Sequence, residues 1–233
     1  MRDREATGAR AHELLATSGD ALRVKLCGMS RDALRVKLCG MSRDEDIVAV
    51  NDAGPDLCGF VINFPRSPRS VSPELLGQLV GELDETILAV GVFVDQPTAF
   101  VAQVAHDLVD VVQLHGSERN SYIARLRTLT DAPIIQAFRV RTNADVMRAN
   151  ASCADLVLLD NGWGTGRPFD WSLIGGIRRP FMLAGGLTAD NVAGAVGALS
   201  PWGVDMSSGI ETDGRKDPQK IKAATQAARG ALR

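Results

Sequence analysis

The sequence contains little that would tie it to a membrane, a nucleic acid or a metal. No apolar run approaches the roughly 20 residues that a transmembrane helix needs. The 26 Lys+Arg nearly balance the 28 Asp+Glu, for a formal net charge of −2, so there is no broad electrostatic attraction to nucleic acid or anionic lipid. Its four cysteines (Cys27, Cys39, Cys58 and Cys153) include no C-x-x-C pair, and His12, His106 and His115 show no metal-ligand spacing. No metal site and no disulfide framework is expected, and a reducing cytosol is the natural compartment. The N-terminus mixes acids and bases without a 7–15-residue apolar core, unlike a secretory signal. Aromatics make up only 5% of the 233 residues, against 45% hydrophobic and 23% charged, the balance of a soluble globular chain rather than a disordered one.

A tandem repeat is present near the start. Residues 20–31 read DALRVKLCGMSR, and residues 32–43 repeat the same twelve letters. Two copies of twelve are too short and too few for a solenoid. Complete identity marks a duplication, natural or engineered, and leaves three independent cysteines and one copy.

From the second copy onward, apolar runs rich in Val, Ile and Leu alternate with helical patterns. Strands are expected at Arg35–Cys39, Leu57–Asn63, Ile87–Val94, Val109–Leu114, Ile134–Phe138, Asp155–Asp160, Phe181–Ala184 and Gly203–Ser207. Such continuous runs mark parallel strands covered on both faces. Helices are expected at Glu45–Asp52, Pro73–Gly81, Thr98–His106, Arg119–Leu129, Ala144–Ala149, Trp171–Ile177, Ala189–Ala198 and Pro218–Arg229. Ser72, Thr188 and Asp217 offer N-cap oxygens. Eight strand–helix units in strict alternation predict a (β/α)8 TIM barrel in a single domain, over residues 32–233, with residues 1–31 as an N-terminal extension holding the first repeat copy. A doubly wound open sheet is the alternative, but it keeps its phosphate glycines after the first strand, whereas here the glycine-rich turns come late.

In such a barrel the strand ends face the active-site mouth. Those ends carry Cys39, Asn63, Asp95, His115, Asp160, Gly185-Gly186 and Ser207-Ser208-Gly209. The two late glycine turns make a phosphate cradle. Arg69 and Arg66 lie in the loop after the second strand. Arg suits a carboxylate or phosphate, while an exposed Arg is more commonly just solvated, the reading kept for Arg66. Cys39 and Asp160 form a plausible acid–base pair. Spacing alone does not exclude a packed Cys and a turn-capping Asp, and His115 has a hydrogen-bonded packing role as its default.

Nine motifs then appear in order: K-L-C-G at Lys37–Gly40, G-F-V at Gly59–Val61, S-P-R at Ser67–Arg69, V-G-V-F-V at Val90–Val94, V-Q-L-H-G at Val112–Gly116, L-L-D at Leu158–Asp160, G-T-G-x-x-F-D-W at Gly164–Trp171, L-A-G-G-L-x-x-x-N-V at Leu183–Val192 and V-D-M-S-S-G-I-E at Val204–Glu211. Together they resemble the phosphoribosylanthranilate isomerases, cofactor-free barrel enzymes of tryptophan biosynthesis. The resemblance implies an Amadori rearrangement of N-(5′-phosphoribosyl)anthranilate to 1-(o-carboxyphenylamino)-1-deoxyribulose 5-phosphate. It implies Asp160 as general acid on the ribose ring oxygen and the K-L-C-G cysteine as general base on the proton at sugar carbon 2. It further implies Arg69 on the anthranilate carboxylate, with Gly185, Gly186, Ser208 and Gly209 on the phosphate and His115 and Asp205 among the substrate-binding residues. A phosphorylated small molecule is the expected partner, with no cofactor, and the chain is a monomer or a homodimer. Two departures from the family pattern are Ser70, where an aromatic is common, and Trp163, where a glycine is common, in a connection that looks short. A histidine-pathway or dual-substrate sugar-phosphate isomerase, which uses aspartate at the cysteine position, and a catalytically impaired barrel are the rival readings.

Cys27 and Cys39 both fit K-L-C-G. The interval of twenty residues from Cys39 to Gly59 matches the family, whereas using Cys27 puts an apolar strand sequence into a loop. Cys39 is therefore the expected base and Cys27 the alternative, and the identical copies can exchange in the first-strand position. Finally, Lys37 and Cys39 share a side of the strand by parity. A buried Lys37 needs a partner, for which Asp205 is the candidate, unless the side chain snorkels to the lower barrel mouth.

Overall fold

The computed structural model describes residues 34–160 and 171–231. Eight parallel strands form the barrel: β1 (Arg35–Cys39), β2 (Leu57–Ile62), β3 (Leu88–Phe93), β4 (Val111–Leu114), β5 (Ile134–Arg139), β6 (Leu156–Asp160), β7 (Phe181–Leu183) and β8 (Gly203–Met206). Each pairs with the next, and β1 pairs in parallel with both β2 and β8, so the eight strands close into a ring, with the two-residue strand Ser70–Val71 added beside the end of β2. Closure excludes the doubly wound alternative. Every strand lies within two residues of its expected span. The extension expected over residues 1–31, with Cys27, lies outside the described residues.

The helices are α1 (Asp44–Ala53), α2 (Pro73–Glu82), α3 (Thr98–Asp107), α4 (Asn120–Leu126), α5 (Asn143–Asn150), α6 (Val192–Leu199) and α7 (Pro218–Gly230). Ser72 caps α2 by accepting the Leu75 N–H at 3.3 Å, and Asp217 caps α7 by accepting the Gln219 N–H at 2.9 Å. Three expected helices differ: α4 stops at Leu126, three residues short of its expected end, with residues 127–129 in turns. Trp171–Gly176 is a 3-10 helix that ends on Gly175-Gly176, too short a run to settle into α geometry. The helix expected from Ala189 begins at Val192, because the Asn191 side chain accepts the Thr188 N–H and turns the chain before the helix starts.

Strand parity divides the core in two. Val36, Leu38, Cys58, Phe60 and Ile62 point outward into the layer shared with the helices. Leu57, Val90, Val111, Ile135, Leu156, Leu158, Met182 and Ala184 point inward and fill the barrel. Among the inward positions, Lys37, Gln113 and Asp205 are polar, and all three are buried. Cys39 and Cys58 are buried free thiols and Cys153 is an exposed one. No helix among the described residues is long and apolar enough to cross a membrane.

Candidate active site

Cys39 ends β1 and is buried, two residues beyond Lys37 on the same inward face. Lys37 does not snorkel: it is fully buried, and its Nζ donates to Asp205 Oδ1 at 2.9 Å, across the register pair Lys37–Asp205 of β1 and β8. The partner of Cys39 in β2 is Gly59, and the absence of a side chain there makes the room. A Cβ at position 59 would lie 2.7 Å from Cys39 Sγ and 2.9 Å from Lys37 Nζ. Sulfur and ammonium thus occupy one small volume over the Gly59 backbone. Burial pushes the Cys39 thiol up from its ordinary value, while Lys37 pulls it down and Asp205 works against Lys37. Burial likewise opposes the charge on Lys37, but Asp205 and the Cys39 sulfur prevail and raise its pKa.

Arg69 comes from the loop after β2 and crosses the same strand end. A Cβ on Gly40 would sit 2.5 Å from its Cδ. Its Nε and Nη2 each donate to Glu211 at 2.6 Å, a two-pronged contact across 142 residues of sequence. Glu211 also accepts from Lys216 Nζ at 2.6 Å, and that ammonium donates to the Ser207 carbonyl at 3.0 Å. Burial works against the Glu211 charge, but the hydrogen bonds from Arg69 and Lys216 hold its carboxyl below the ordinary range. With Nε and one Nη occupied, the guanidinium keeps the N–H groups of its far edge for a second anion. Arg66 is exposed.

Glu211 and Lys216 face each other in a hairpin, Glu211–Thr212 against Arg215–Lys216. Its two-residue turn is Asp213 (φ 51°) and Gly214 (φ 75°), the conformation that Asp-Gly favours. Sequence reasoning quoted Glu211 only as the end of a motif and missed Lys216. The Asp-Gly pair was the signal that could have found the hairpin.

The two late glycine turns come together. Gly185 (φ 96°) and Gly186 (φ 66°) follow β7 in backbone conformations that side-chain-bearing residues rarely adopt. Their N–H groups donate to no backbone acceptor among the described residues. Gly209, after β8, packs so closely on this turn that a Cβ would fall 1.9 Å from the Leu187 carbonyl oxygen. Ser208 and Gly209 open a 3-10 turn, Ser208–Ile210.

Asp160 ends β6, and His115 follows β4. His115 Nε2 stands 3.9 Å from Asp160 Oδ2, while its Nδ1 lies 3.0 Å from Gln113 Nε2. With the Gln113 amide donating to Nδ1, the ring proton sits on Nε2, toward Asp160. The surrounding barrel wall lowers the His115 pKa; Asp160 opposes that shift and Lys37 adds to it. The neutral ring is therefore the ordinary state. Gln113, which sequence reasoning did not single out, is fully buried, and its Oε1 has no hydrogen-bond partner among the described residues. Asp205, expected to touch substrate, accepts the Lys37 ammonium on its Oδ1. Asp95, at another strand end, accepts the Ser117 N–H and hydroxyl at 2.7 Å and knits two loops together. The connection with Trp163 lies outside the described residues.

The family model of N-(5′-phosphoribosyl)anthranilate isomerase matches residues 36–227. The isomerase of that name from Endomicrobium trichonymphae is 42% identical over 205 residues, covering 85% of this chain and 94% of the relative. Among solved structures, a phosphoribosyl anthranilate isomerase in complex with reduced 1-(o-carboxyphenylamino)-1-deoxyribulose 5-phosphate is 34% identical, with TM-score 0.73 over 85% of this chain and all of that one. Monomers generated from the dimeric Thermotoga maritima enzyme match at 33% identity and TM-score 0.73, again over 85% of this chain and all of that one. A barrel closed in this order, nine motifs in sequence and relatives matched over nearly their whole length place the chain in the phosphoribosylanthranilate isomerase family.

Proposed function

We propose that this isomerase works with Cys39 as its general base and Asp160 as its general acid. Asp160, carrying the proton, gives it to the ribose ring oxygen of N-(5′-phosphoribosyl)anthranilate. The ring C–O bond breaks, and the anilino nitrogen supplies the electron pair of a C=N bond, forming a cationic iminium. That cation acidifies the C–H bond at sugar carbon 2. The Cys39 thiolate takes this proton, and the enolamine that results passes to the ketone of the product. The iminium itself accepts the electrons of the broken C–H bond, so the route needs no cofactor.

The remaining roles follow the chemistry of the side chains. Arg69 takes the anthranilate carboxylate on its free edge. The turns at Gly185-Gly186 and Ser208-Gly209 take the phosphate through backbone N–H groups that no side chain covers. His115 orients Asp160, and Asp205 reaches the site through Lys37. The observation that most supports this reading is the convergence of these groups on one barrel mouth. There an anion-seeking guanidinium and a glycine cradle flank the ends of β1 and β6.

The loss of substrate fluorescence tests it. Cys39→Ser and Asp160→Asn should each lower kcat by about 10²–10⁴-fold with circular dichroism unchanged. Binding without turnover in the unmodified chain would instead favour an impaired barrel, and turnover of a histidine-pathway aminoaldose a dual-substrate one. If the repeat copies exchange in the first strand, Cys39→Ser keeps measurable turnover that Cys27→Ser added to it abolishes. Full loss in Cys39→Ser alone excludes exchange. The division into an extension over residues 1–31 and a barrel over 32–233, a cytoplasmic location and a monomeric or homodimeric state belong to the same reading.

A further inference from the structure

Within the barrel lies an ion pair that the proton transfers above do not use. Lys37 is fully buried, and Asp205 is nearly so at 8% exposure, on adjacent strands one layer beneath the mouth. A buried ion pair is a poor source of stability, because desolvating two charges cancels most of their attraction, and apolar residues of similar volume do as well or better. The neighbouring inward positions show what such a layer ordinarily holds: Leu57, Val90 and Met182. What distinguishes the Lys37 position is its neighbour. The ammonium and the Cys39 sulfur both lie within 3 Å of the point where a Gly59 Cβ would stand.

We propose that Lys37 is a positioning residue for the catalytic base: its ammonium, locked by Asp205, holds the Cys39 sulfur over Gly59 and favours its thiolate form. The inference rests on Cys39 being the base. Asp205 contributes by direction rather than by charge alone. It anchors Nζ so that the remaining N–H groups point toward the sulfur, and without it the buried lysine would tend to shed its proton. Gly59 contributes by absence, since any side chain there would drive sulfur and ammonium apart.

The charged and titratable groups that reach Cys39 come from several elements. Lys37 lies on its own strand, Asp205 on β8, Cys58 on the outer face of β2, Arg69 in the loop after β2 and Lys216 on the hairpin after β8. His115, across the mouth, senses both Lys37 and Asp205. Of the three cations, Lys37 acts most strongly on the sulfur.

The test reads the thiolate directly. Cys39 is alkylated with iodoacetamide from pH 6 to 10 and its peptide quantified by mass spectrometry. A Cys27→Ser background is needed because trypsin releases LCGMSR from both repeat copies. Lys37→Gln should slow alkylation at pH 7 about tenfold and move the alkylation profile to higher pH. In turnover, kcat should fall while KM stays within about twofold. Lys37→Arg, which keeps the cation, should restore most of the rate. Lys37→Gln combined with Asp205→Asn leaves no unpaired buried charge, takes the place of the single variant if that one fails to fold, and should shift the profile in the same direction. A profile in the double variant that superimposes on the parent overturns the proposal, and so does Lys37→Arg behaving like Lys37→Gln. Failure of the base assignment is a separate result, since it shows as turnover surviving in Cys39→Ser with both cysteines of the repeat replaced.

Discussion

On the β1–β2–β8 side of the barrel mouth, Lys37 meets Asp205 at 2.9 Å, and Arg69 and Lys216 each meet Glu211 at 2.6 Å. On the β4–β6 side, His115 and Asp160 stand 3.9 Å apart, and the imidazole leans on a neutral amide. The side assigned the base is thus held by close charge pairs before any ligand arrives, whereas His115 and Asp160 stand beyond hydrogen-bond distance of each other. The chemistry accounts for the contrast. A thiol must be helped to ionise, which calls for a cation fixed in advance. A carboxylic acid must keep its proton until the sugar oxygen reaches it, which a cation fixed beside it would oppose.

The contrast is sharpest at Glu211. Replacing it with Gln leaves Lys216 buried without a counter-charge and frees Arg69. Glu211→Gln should therefore lower stability by about 3 kcal/mol in urea titration and raise KM for the substrate, with kcat much less affected. Unchanged stability would mean that these close contacts hold the charges no more firmly than solvent does. Next in size, Gly59→Ala should cost about 1–3 kcal/mol and lower kcat, because the new methyl meets Cys39 Sγ and Lys37 Nζ at contact distances real side chains avoid. Smallest is the effect on the acid side. His115→Gln should cost no more than about 1 kcal/mol, since it removes one neutral hydrogen bond.

His115 also carries a pH signature. Its folded pKa lies below its unfolded value near 6.5, so its contribution is complete above that pH and is lost as the pH falls through the folded value. The ring is 38% exposed, and solvent screening keeps the effect small. Melting temperatures measured from pH 7.5 to 5 should fall slightly less in His115→Gln than in the parent. An equal fall would show that His115 titrates freely.

Much of the architecture was legible because it is written locally. Continuous apolar runs marked the barrel strands, and Ser72 and Asp217 announced their helices by supplying N-cap oxygens. The failures were also local, where two plausible signals compete. Thr188 looks like a cap, yet Asn191, three residues later, captures its N–H first. The Gly175-Gly176 pair favours ending a helix over extending it. In the site, parity and strand adjacency pointed to the Lys37–Asp205 pair across 168 residues, because both lie on regular strands. Barrel parity could not point to Arg69 and Glu211, which lie outside the barrel strands, in the loop after β2 and in the hairpin after β8.

The amino-acid order by itself determined the period of the elements, the inward face of each strand and the strand-end residues that face the mouth, because side-chain alternation follows from backbone geometry alone. Only the tertiary structure decided which charges meet. Arg69 finds Glu211 because closing β1 against both β2 and β8 brings the loops after β2 and β8 over one strand end. The close contact of Cys39 and Lys37 depends on the register that sets Gly59, rather than a larger residue, beside them.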